Sequence, residues 1–595
     1  MQLTAEQQII LQTNSNLVIN AVAGSGKTTT LIEYAKSRPA NSRILYLAFN
    51  KTVKTEARQK FEAAGLANVK VETAHSLAFD HIVKHSAYQL VQGYKSYEWC
   101  DMLGIKTNDR HVDFIIAGHV NRFISLFCNS RADKVQELNY ADVITDAKAL
   151  IFVKNYYKLI EDFTRLALAK MQKADIAITH DFYLKKFQLS RPVLPYDYIL
   201  FDEGQDASAA MLDVFLQQPA IKIIVGDAHQ QIYGWRYAVN SLQQVDFPVY
   251  NLTNSFRFND EIALVANKIL AWKLQLKQPP SVKIIGAGHP SPVSFTKATL
   301  GRTNLGLLLN AITQHESGHI GKLYFEGNIN SYTFADEGAS LYDVLNLHNG
   351  KRDKIKDKLI AEMTSMKDLE DYIEKTEDNS LSMIVEVVKE FGNRLPGLIA
   401  ELKQNHTTKE EADMIFSTVH RCKGMEYDEV TLLNDFINED KLRKYIEKFE
   451  GDKMKDGDRN RLAEEVNILY VAATRAKNVL KMPPDINPLK SLQVANDVAA
   501  AFPTKKYSSS YKQFDDWEIY SKTEYKKSST PLQNSKPTTK PTTNHGKKWT
   551  EEDELTLTDM FSAGRSIKEI ARQLSRGENG VRIKLMNMDL LGEDE

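Results

Sequence analysis

Short apolar runs separated by helix-spaced segments mark the first 80 residues. NLVIN (16–20), RILYLAF (43–49) and VKVETAH (69–75) read as strands. Strands alternating with helices predict a parallel sheet flanked by helices. Residues 81–190 carry long helical periodicity and few strand signals. YDYILFDEG (196–204) and IKIIVGD (221–227) then read as buried strands, each ending in acid. Residues 306–405 are again helical and highly charged, as in KRDKIKDKLIAEMTSMKDLEDYIEK (351–375). A third set of strands follows at MIFSTVH (414–420) and VTLLND (430–435). From about 503 the periodicity is lost. Residues 503–548 are rich in Ser, Thr, Lys and Pro and hold ten lysines against four acids, as in a flexible, locally basic linker. Helical patterning resumes over the final stretch, and no repeat of fixed period is present.

Composition narrows the picture. The 595 residues call for several domains at about 150 residues each. A net charge of -1 gives no global basic field, so a nucleic-acid partner has to be met by local patches. Cys100, Cys128 and Cys422 show no CxxC spacing, which argues against a disulfide framework or zinc site. No run of 18 apolar residues and no basic-then-apolar leader is seen. The expectation is a soluble intracellular protein with no membrane partner.

Three stretches carry chemistry. AVAGSGKTTT (21–30) sits between an apolar strand and a helix. In such a loop Ala23, Gly24, Ser25, Gly26 and Thr29 offer backbone N–H groups to phosphates. Lys27 reaches the β/γ oxygens and the Thr28 hydroxyl coordinates Mg²⁺. The strict pattern has Gly where this chain has Ala21. In ILFDEGQD (199–206), Asp202 suits the Mg²⁺ shell and Glu203 suits orienting or deprotonating the attacking water. Adjacent carboxylates at a strand end also suit helix capping. In IVGDAHQQIYGWR (224–236), Gln230 is placed to sense a terminal phosphate. Tyr233, Trp235 and Arg236 form an aromatic-basic cluster of the kind that stacks on single-stranded bases; a core tryptophan is the alternative.

The ordered series AVAGSGKT, DEGQD, GDAHQQIYGWR, NSFR, GRTN, TVHRCKGMEYDEV and LYVAATRAK resembles the superfamily 1 DNA helicases of the UvrD/Rep type over roughly residues 1–482. The FNK form of the second motif, and the short segment between GRTN and TVHRCKG, are most similar to the F-box DNA helicase branch, though no F-box is evident. The resemblance implies an α/β protein with two RecA-like parallel-sheet motor domains that carry helical insertions, plus a small C-terminal all-α domain. It implies ATP and Mg²⁺ as cofactors and single-stranded, duplex or forked DNA as partner. The localisation it implies is cytoplasmic, nucleoid-associated in a prokaryote or phage and nuclear in a eukaryote.

Residue by residue, the resemblance places Gln7 on the adenine edge and Phe256, in place of the usual Tyr, against the adenine face. It places Arg257 and Arg475 as arginine fingers, Gly424 at a tight turn and Glu426 on the ribose. Phe49, Asn50, Lys51, Thr73, His75, Thr418 and His420 match strand-contacting positions. The implied boundaries are 1–80 with 190–248 for the first motor domain and 81–189 for its insertion. The second motor domain takes 249–305 with 406–502, and its reduced insertion 306–405. A basic linker (503–548) and a three-helix unit (549–591) follow.

The terminal unit resembles a Myb/SANT-like or helix-turn-helix fold. Arg572, Arg576, Arg582 and Lys584 suit duplex backbone contacts, and protein contact suits the same fold. The charged 351–375 segment reads as a solvated face. The implied activity is an ATP-dependent helicase or translocase with 3′→5′ polarity, acting in repair, recombination or replication. A nucleotide-gated DNA-binding switch needs the same Lys27 and Glu203. A helicase-nuclease is disfavoured, because no acid–ExK cluster follows LYVAATRAK.

Overall fold

The structure is a computed structural model; its described residues are 3–280, 282–289, 296–327, 329, 332, 339–448, 454–489, 553, 557, 567–574 and 576–587. The chain divides into two compact units, Met1–Phe514 and Asp515–Glu595.

The first unit contains two parallel sheets. Strands β1 (Leu17–Ala21), β2 (Ile44–Ala48), β3 (Val69–Thr73), β4 (Tyr198–Phe201), β5 (Ile221–Gly226) and β6 (Val249–Leu252) form one, in the order β3-β2-β4-β5-β1-β6. β1, β2 and β4 are buried along their whole length. That explains their continuous apolar runs: a parallel sheet is covered on both faces. β6 pairs with β1, Val18 opposite Val249, so the first sheet extends past the boundary expected at 248. A two-residue pair follows, β7 (Asn254–Ser255) with β8 (Ile285–Gly286).

The second large sheet holds β9 (Lys297–Gly301), β10 (Leu323–Phe325), β11 (Met414–Thr418), β12 (Tyr427–Leu432) and β13 (Ala476–Lys481), in the order β10-β11-β9-β12-β13. Helix Asp456–Ala473 packs on this lobe, buried from Val466 to Ala473. Both lobes place strand ends and the loops after them at a shared cleft, the usual ligand position in open parallel sheets.

The helical regions are docked on one another. Residues 81–189 fold around helices Arg110–Asn129 and Ala147–Gln172. Helix Met366–Thr376 turns Leu369, Tyr372 and Ile373 inward. A Cβ on Gly118 would meet Thr376 at 3.4 Å and the Tyr372 hydroxyl at 3.6 Å, which is close approach without a clash. His119 bridges the Tyr140 hydroxyl (2.9 Å) and the Lys375 carbonyl (2.9 Å). Arg122 pairs with Glu377 at 2.7 Å. The 351–375 segment therefore buries one face, while Asp371 and Glu374 pair with His111 and Lys148 on its rim.

In the second unit, helices Ile567–Gln573 and Glu578–Asn587 close a small core of Leu557, Ile570, Ala571, Leu574, Val581 and Leu585. Arg576 is buried and pairs with Asp553 at 2.7 Å, so it is an internal tie and not the surface base expected. Arg572 and Arg582 are exposed. The expected linker at 503–548 and most of the first tail helix lie outside the described residues. Among the described residues no helix is long and apolar enough to cross a membrane.

Candidate functional site

The phosphate loop leaves β1 and enters helix Lys27–Lys36. Gly24 (φ 75°) and Gly26 (φ 80°) both take left-handed backbone, and Gly26 caps the helix. This is the conformation that lets consecutive N–H groups face one point. Ser25 is buried, and its Oγ has no hydrogen-bond partner. An orphaned buried hydroxyl at a helix N-terminus fits a phosphate ligand; of the expected backbone donors, Ser25 N–H is taken by the Val22 carbonyl (3.2 Å) and Ala23 N–H by the Tyr470 hydroxyl (3.4 Å).

Lys27 and the two acids lie together. Lys27 Nζ is 2.6 Å from Glu203 Oε1. Burial lowers the Lys27 pKa, but the Glu203 and Asp202 charges outweigh it and hold it above its ordinary value. Glu203 takes left-handed backbone at φ 53°, ψ 41°, a strained setting for a non-glycine residue and one that concentrates at functional sites. Burial works against its charge, yet Lys27 and then Lys423 hold its carboxyl low. Asp202 is pushed up, by burial first and by Glu203 second. Two adjacent carboxyls with their pKa values driven apart are an arrangement suited to proton handling. Asp202 accepts from the Tyr46 hydroxyl, and Thr28 lies beside that same phenol. Thr28 and Asp202 oxygens thus converge on one side of the loop. One hydroxyl and one carboxylate, with substrate phosphates, are the donor set Mg²⁺ prefers. No group of three or more His, Cys, Asp or Glu side chains is arranged for a metal among the described residues.

The segment after β6 and the second lobe supply the far wall. Phe256 N–H donates to the Gly24 carbonyl at 2.9 Å, which brings the NSFR segment onto the phosphate loop. Arg257 donates through Nε to Glu426 (2.8 Å) and through Nη1 to the Thr474 carbonyl (3.0 Å). Arg475 is buried and turned into its own lobe, on the Val471 (3.0 Å) and Met425 (3.1 Å) carbonyls. Burial and then the Arg257 charge depress its pKa to about 10. Gln7 is close to the loop, its Nε2 3.5 Å from a Cβ placed on Gly26. Its amide is engaged by Thr4 N–H (3.0 Å) and by Thr30 (2.9 Å). Gln230 donates to Asp227 at 2.9 Å. Gly424 holds φ 91°, as its expected tight turn requires.

The strand-facing candidates separate into two sets. Trp235 is 58% exposed, which excludes the core alternative, and Arg236 lies over its ring at 4.6 Å. Lys51 and His75 are exposed as well. The groups crowded around His75 desolvate its ring and lower its pKa, with the His180 and Arg236 charges contributing. The other set is committed to structure. Asn50 and Thr73 cap helices Lys51–Ala63 and Ala74–Ile82. Phe49 and Tyr233 stack at 5.6 Å. Tyr233 donates to the His420 carbonyl at 2.9 Å, and His420 Nε2 donates to the Ile232 carbonyl at 3.0 Å. Thr418 is buried in β11. His420 and Tyr233 therefore join the lobes.

Several contributors escaped the sequence reading. Lys423 pairs with buried Asp206 and donates to the Gln230 carbonyl at 2.6 Å. Tyr470 donates to Asp227 at 2.8 Å. Asp206, Lys423 and Tyr470 all lie inside the quoted motifs, but their partners are distant in sequence. Tyr46 sits in an apolar run that gives no hint of a polar contact.

The chain matches known proteins over much of its length. Residues 3–245 match the UvrD/REP helicase N-terminal domain. The chain is 30% identical over 531 residues to F-box DNA helicase 1 of Gallus gallus, covering 83% of this chain and 50% of that protein. It is 30% identical over 545 residues to F-box DNA helicase protein 1 of Schizosaccharomyces pombe, covering 82% and 58%. ATP-dependent DNA helicase PcrA of Leuconostoc citreum is 24% identical over 293 residues, 44% of this chain and 38% of that one. The chain thus spans between half and three-fifths of the length of the two F-box relatives. Through residues 3–245 the chain carries the UvrD/REP helicase N-terminal domain, and it is homologous to F-box DNA helicase 1 and to PcrA-type helicases.

Proposed function

We propose that this protein is an ATP-dependent DNA helicase or translocase that moves 3′→5′ on single-stranded DNA, its two sheet lobes serving as RecA-like motor domains. The observation that carries the reading is the meeting of Gly24 and Arg257: a Cβ on Gly24 would lie 2.6 Å from the Arg257 Cβ. Arg257 follows β6 of the first sheet, and its guanidinium is held by Glu426 and the Thr474 carbonyl of the second lobe, so phosphate loop, arginine and second lobe share one cleft.

In this reading Lys27 transfers from Glu203 to the β/γ-phosphates. Glu203 is then free to orient and deprotonate the attacking water. Arg257 leaves Glu426 to meet charge developing on the γ-phosphoryl, and Arg475 does the same after turning out of its carbonyl contacts; fingers of this kind are worth about 10³–10⁵ in rate. Thr28 and Asp202 would hold Mg²⁺, which would supply neutralisation of phosphate charge. Phe256 stacks on the adenine and Gln7 reads its edge. Trp235, Arg236, Lys51 and His75 meet the strand, and the second unit adds a contact to duplex DNA or protein through Arg572 and Arg582. Lobe closure on ATP and reopening after hydrolysis convert turnover into stepping. Unwinding in repair, recombination or replication follows from such movement.

A second reading, a nucleotide-gated DNA switch, is favoured by the lobe contacts already formed at Tyr233, His420 and Lys423. Tailed duplexes distinguish the two. The motor unwinds a 3′-tailed duplex with ATP, and Lys27→Ala abolishes hydrolysis while leaving single-strand binding. DNA-stimulated hydrolysis with no unwinding on either tail supports the switch. Hydrolysis retained in Lys27→Ala refutes the site assignment.

A further inference from the structure

Helix Asp456–Ala473 reaches across the cleft with three polar side chains spaced by three residues. Glu464 accepts the Gly234 N–H at 2.9 Å. Asn467 donates to the Gln231 carbonyl at 2.9 Å and accepts from Lys273 at 2.8 Å. Tyr470 donates to Asp227 at 2.8 Å and accepts the Ala23 N–H at 3.4 Å. Each step of three residues turns the helix back by about 60°, so all three lie on one side of it. From Glu464 to Tyr470 the rise is about 9 Å.

These contacts follow one stretch of the first lobe, Asp227 to Gly234. At one end the stretch leads into Trp235 and Arg236, the exposed aromatic-basic pair. At the other, Asp227 and Tyr470 meet Ala23 at the entry to the phosphate loop. A Cβ on Gly234 would collide with the Glu464 carboxylate, so glycine is what lets the acid reach the backbone there. Thr474, one turn beyond Tyr470, accepts from Arg257 through its carbonyl. A rigid helix thus touches the strand-facing loop, the acid-bearing segment, the phosphate loop and an arginine finger in series.

We propose that the polar face Glu464–Asn467–Tyr470 is the coupling element of this protein, a set of positioning residues that fixes the Trp235–Arg236 loop in register with the phosphate loop. The inference rests on the motor reading above. A change in lobe angle at the nucleotide end is carried along the helix to Gly234, and single-strand affinity changes with nucleotide state. By reciprocity the strand alters nucleotide affinity by the same factor.

The test measures the dissociation constant of a fluorescent oligo-dT with and without a non-hydrolysable ATP analogue, in the full chain. Wild type is expected to show a ratio of about 5–150 between the two conditions. Glu464→Ala and Tyr470→Phe are each expected to bring the ratio to within about twofold of one, with nucleotide-free affinity kept within about threefold. Glu464→Gln retains an acceptor for Gly234 N–H and is expected to keep most of the ratio. Gly234→Ala attacks the same contact from the opposite lobe and should match Glu464→Ala. The wild-type ratio surviving in Glu464→Ala and Tyr470→Phe overturns the proposal while leaving the motor intact. Equal weakening in both conditions, unrelieved by Glu464→Gln, also overturns it, because that pattern marks a merely structural role. A wild-type ratio of one, with no stimulation of hydrolysis by DNA, overturns the motor reading and this inference together.

Discussion

Replacing Gly24 by alanine tests the cleft through a single methyl group. Two separate penalties arise there. Gly24 holds φ 75°, and an L-residue in left-handed backbone costs about 1–2 kcal/mol. The added Cβ would also lie 2.6 Å from Arg257 Cβ and 2.8 Å from Ser255 Oγ, and overpacking of this kind costs about 1–3 kcal/mol. The sum is a destabilisation of about 2–5 kcal/mol. Gly65 supplies the control: its φ is 74°, and a Cβ there meets nothing within 4 Å. Gly65→Ala therefore carries the backbone term alone, about 1–2 kcal/mol. Function should separate the pair further. Relief at Gly24 requires Arg257 to retreat from the phosphate loop, giving up part of an effect of about 10³–10⁵, so DNA-stimulated ATP hydrolysis should fall at least about 100-fold. Gly65→Ala should hydrolyse like wild type. Urea unfolding reads the first quantity and steady-state phosphate release the second. Gly24→Ala turning over ATP within about threefold of wild type would refute the shared cleft.

Trp235→Ala should weaken oligo-dT binding by about 1–3 kcal/mol if its exposed ring stacks on a base, with little change in unfolding free energy; unchanged affinity in a titration contradicts this. His119 gives a pH dependence. Burial first, then Arg122, holds its pKa at about 3, below the ordinary 6.5. The unfolded chain binds the proton first, so this group's contribution to stability is full above about pH 6.5 and is lost as pH falls toward 3. At pH 5 the loss is about 2 kcal/mol. Urea midpoints should show a decline in wild type that is reduced in His119→Gln; parallel profiles contradict it.

The lobes were legible because parallel strands buried on both faces leave continuous apolar runs, and β1, β2, β4 and β5 all carry one. β6 lies just past the boundary that the resemblance implies at 248; VYNL carries only a weak apolar signal, and only its pairing with β1 shows which sheet it joins. The phosphate loop and the acid pair could be read locally, since Gly24, Gly26, Lys27, Asp202 and Glu203 act within a few residues of one another. Contacts between lobes could not. Nothing near Lys423 announces Asp206, and nothing near Tyr470 announces Asp227. The same holds for the docked insertions, where the charged 351–375 sequence hides the inward row of Leu369, Tyr372 and Ile373. Arg576 reads as a surface base until Asp553 is found beside it.

The most direct measurement is displacement of streptavidin from single-stranded oligonucleotides biotinylated at either end. A motor moving 3′→5′ clears streptavidin from the 5′ end, needs ATP to do so, and loses the activity in Lys27→Ala. Brisk DNA-stimulated hydrolysis with streptavidin left in place at both ends would contradict a cleft that converts ATP turnover into movement.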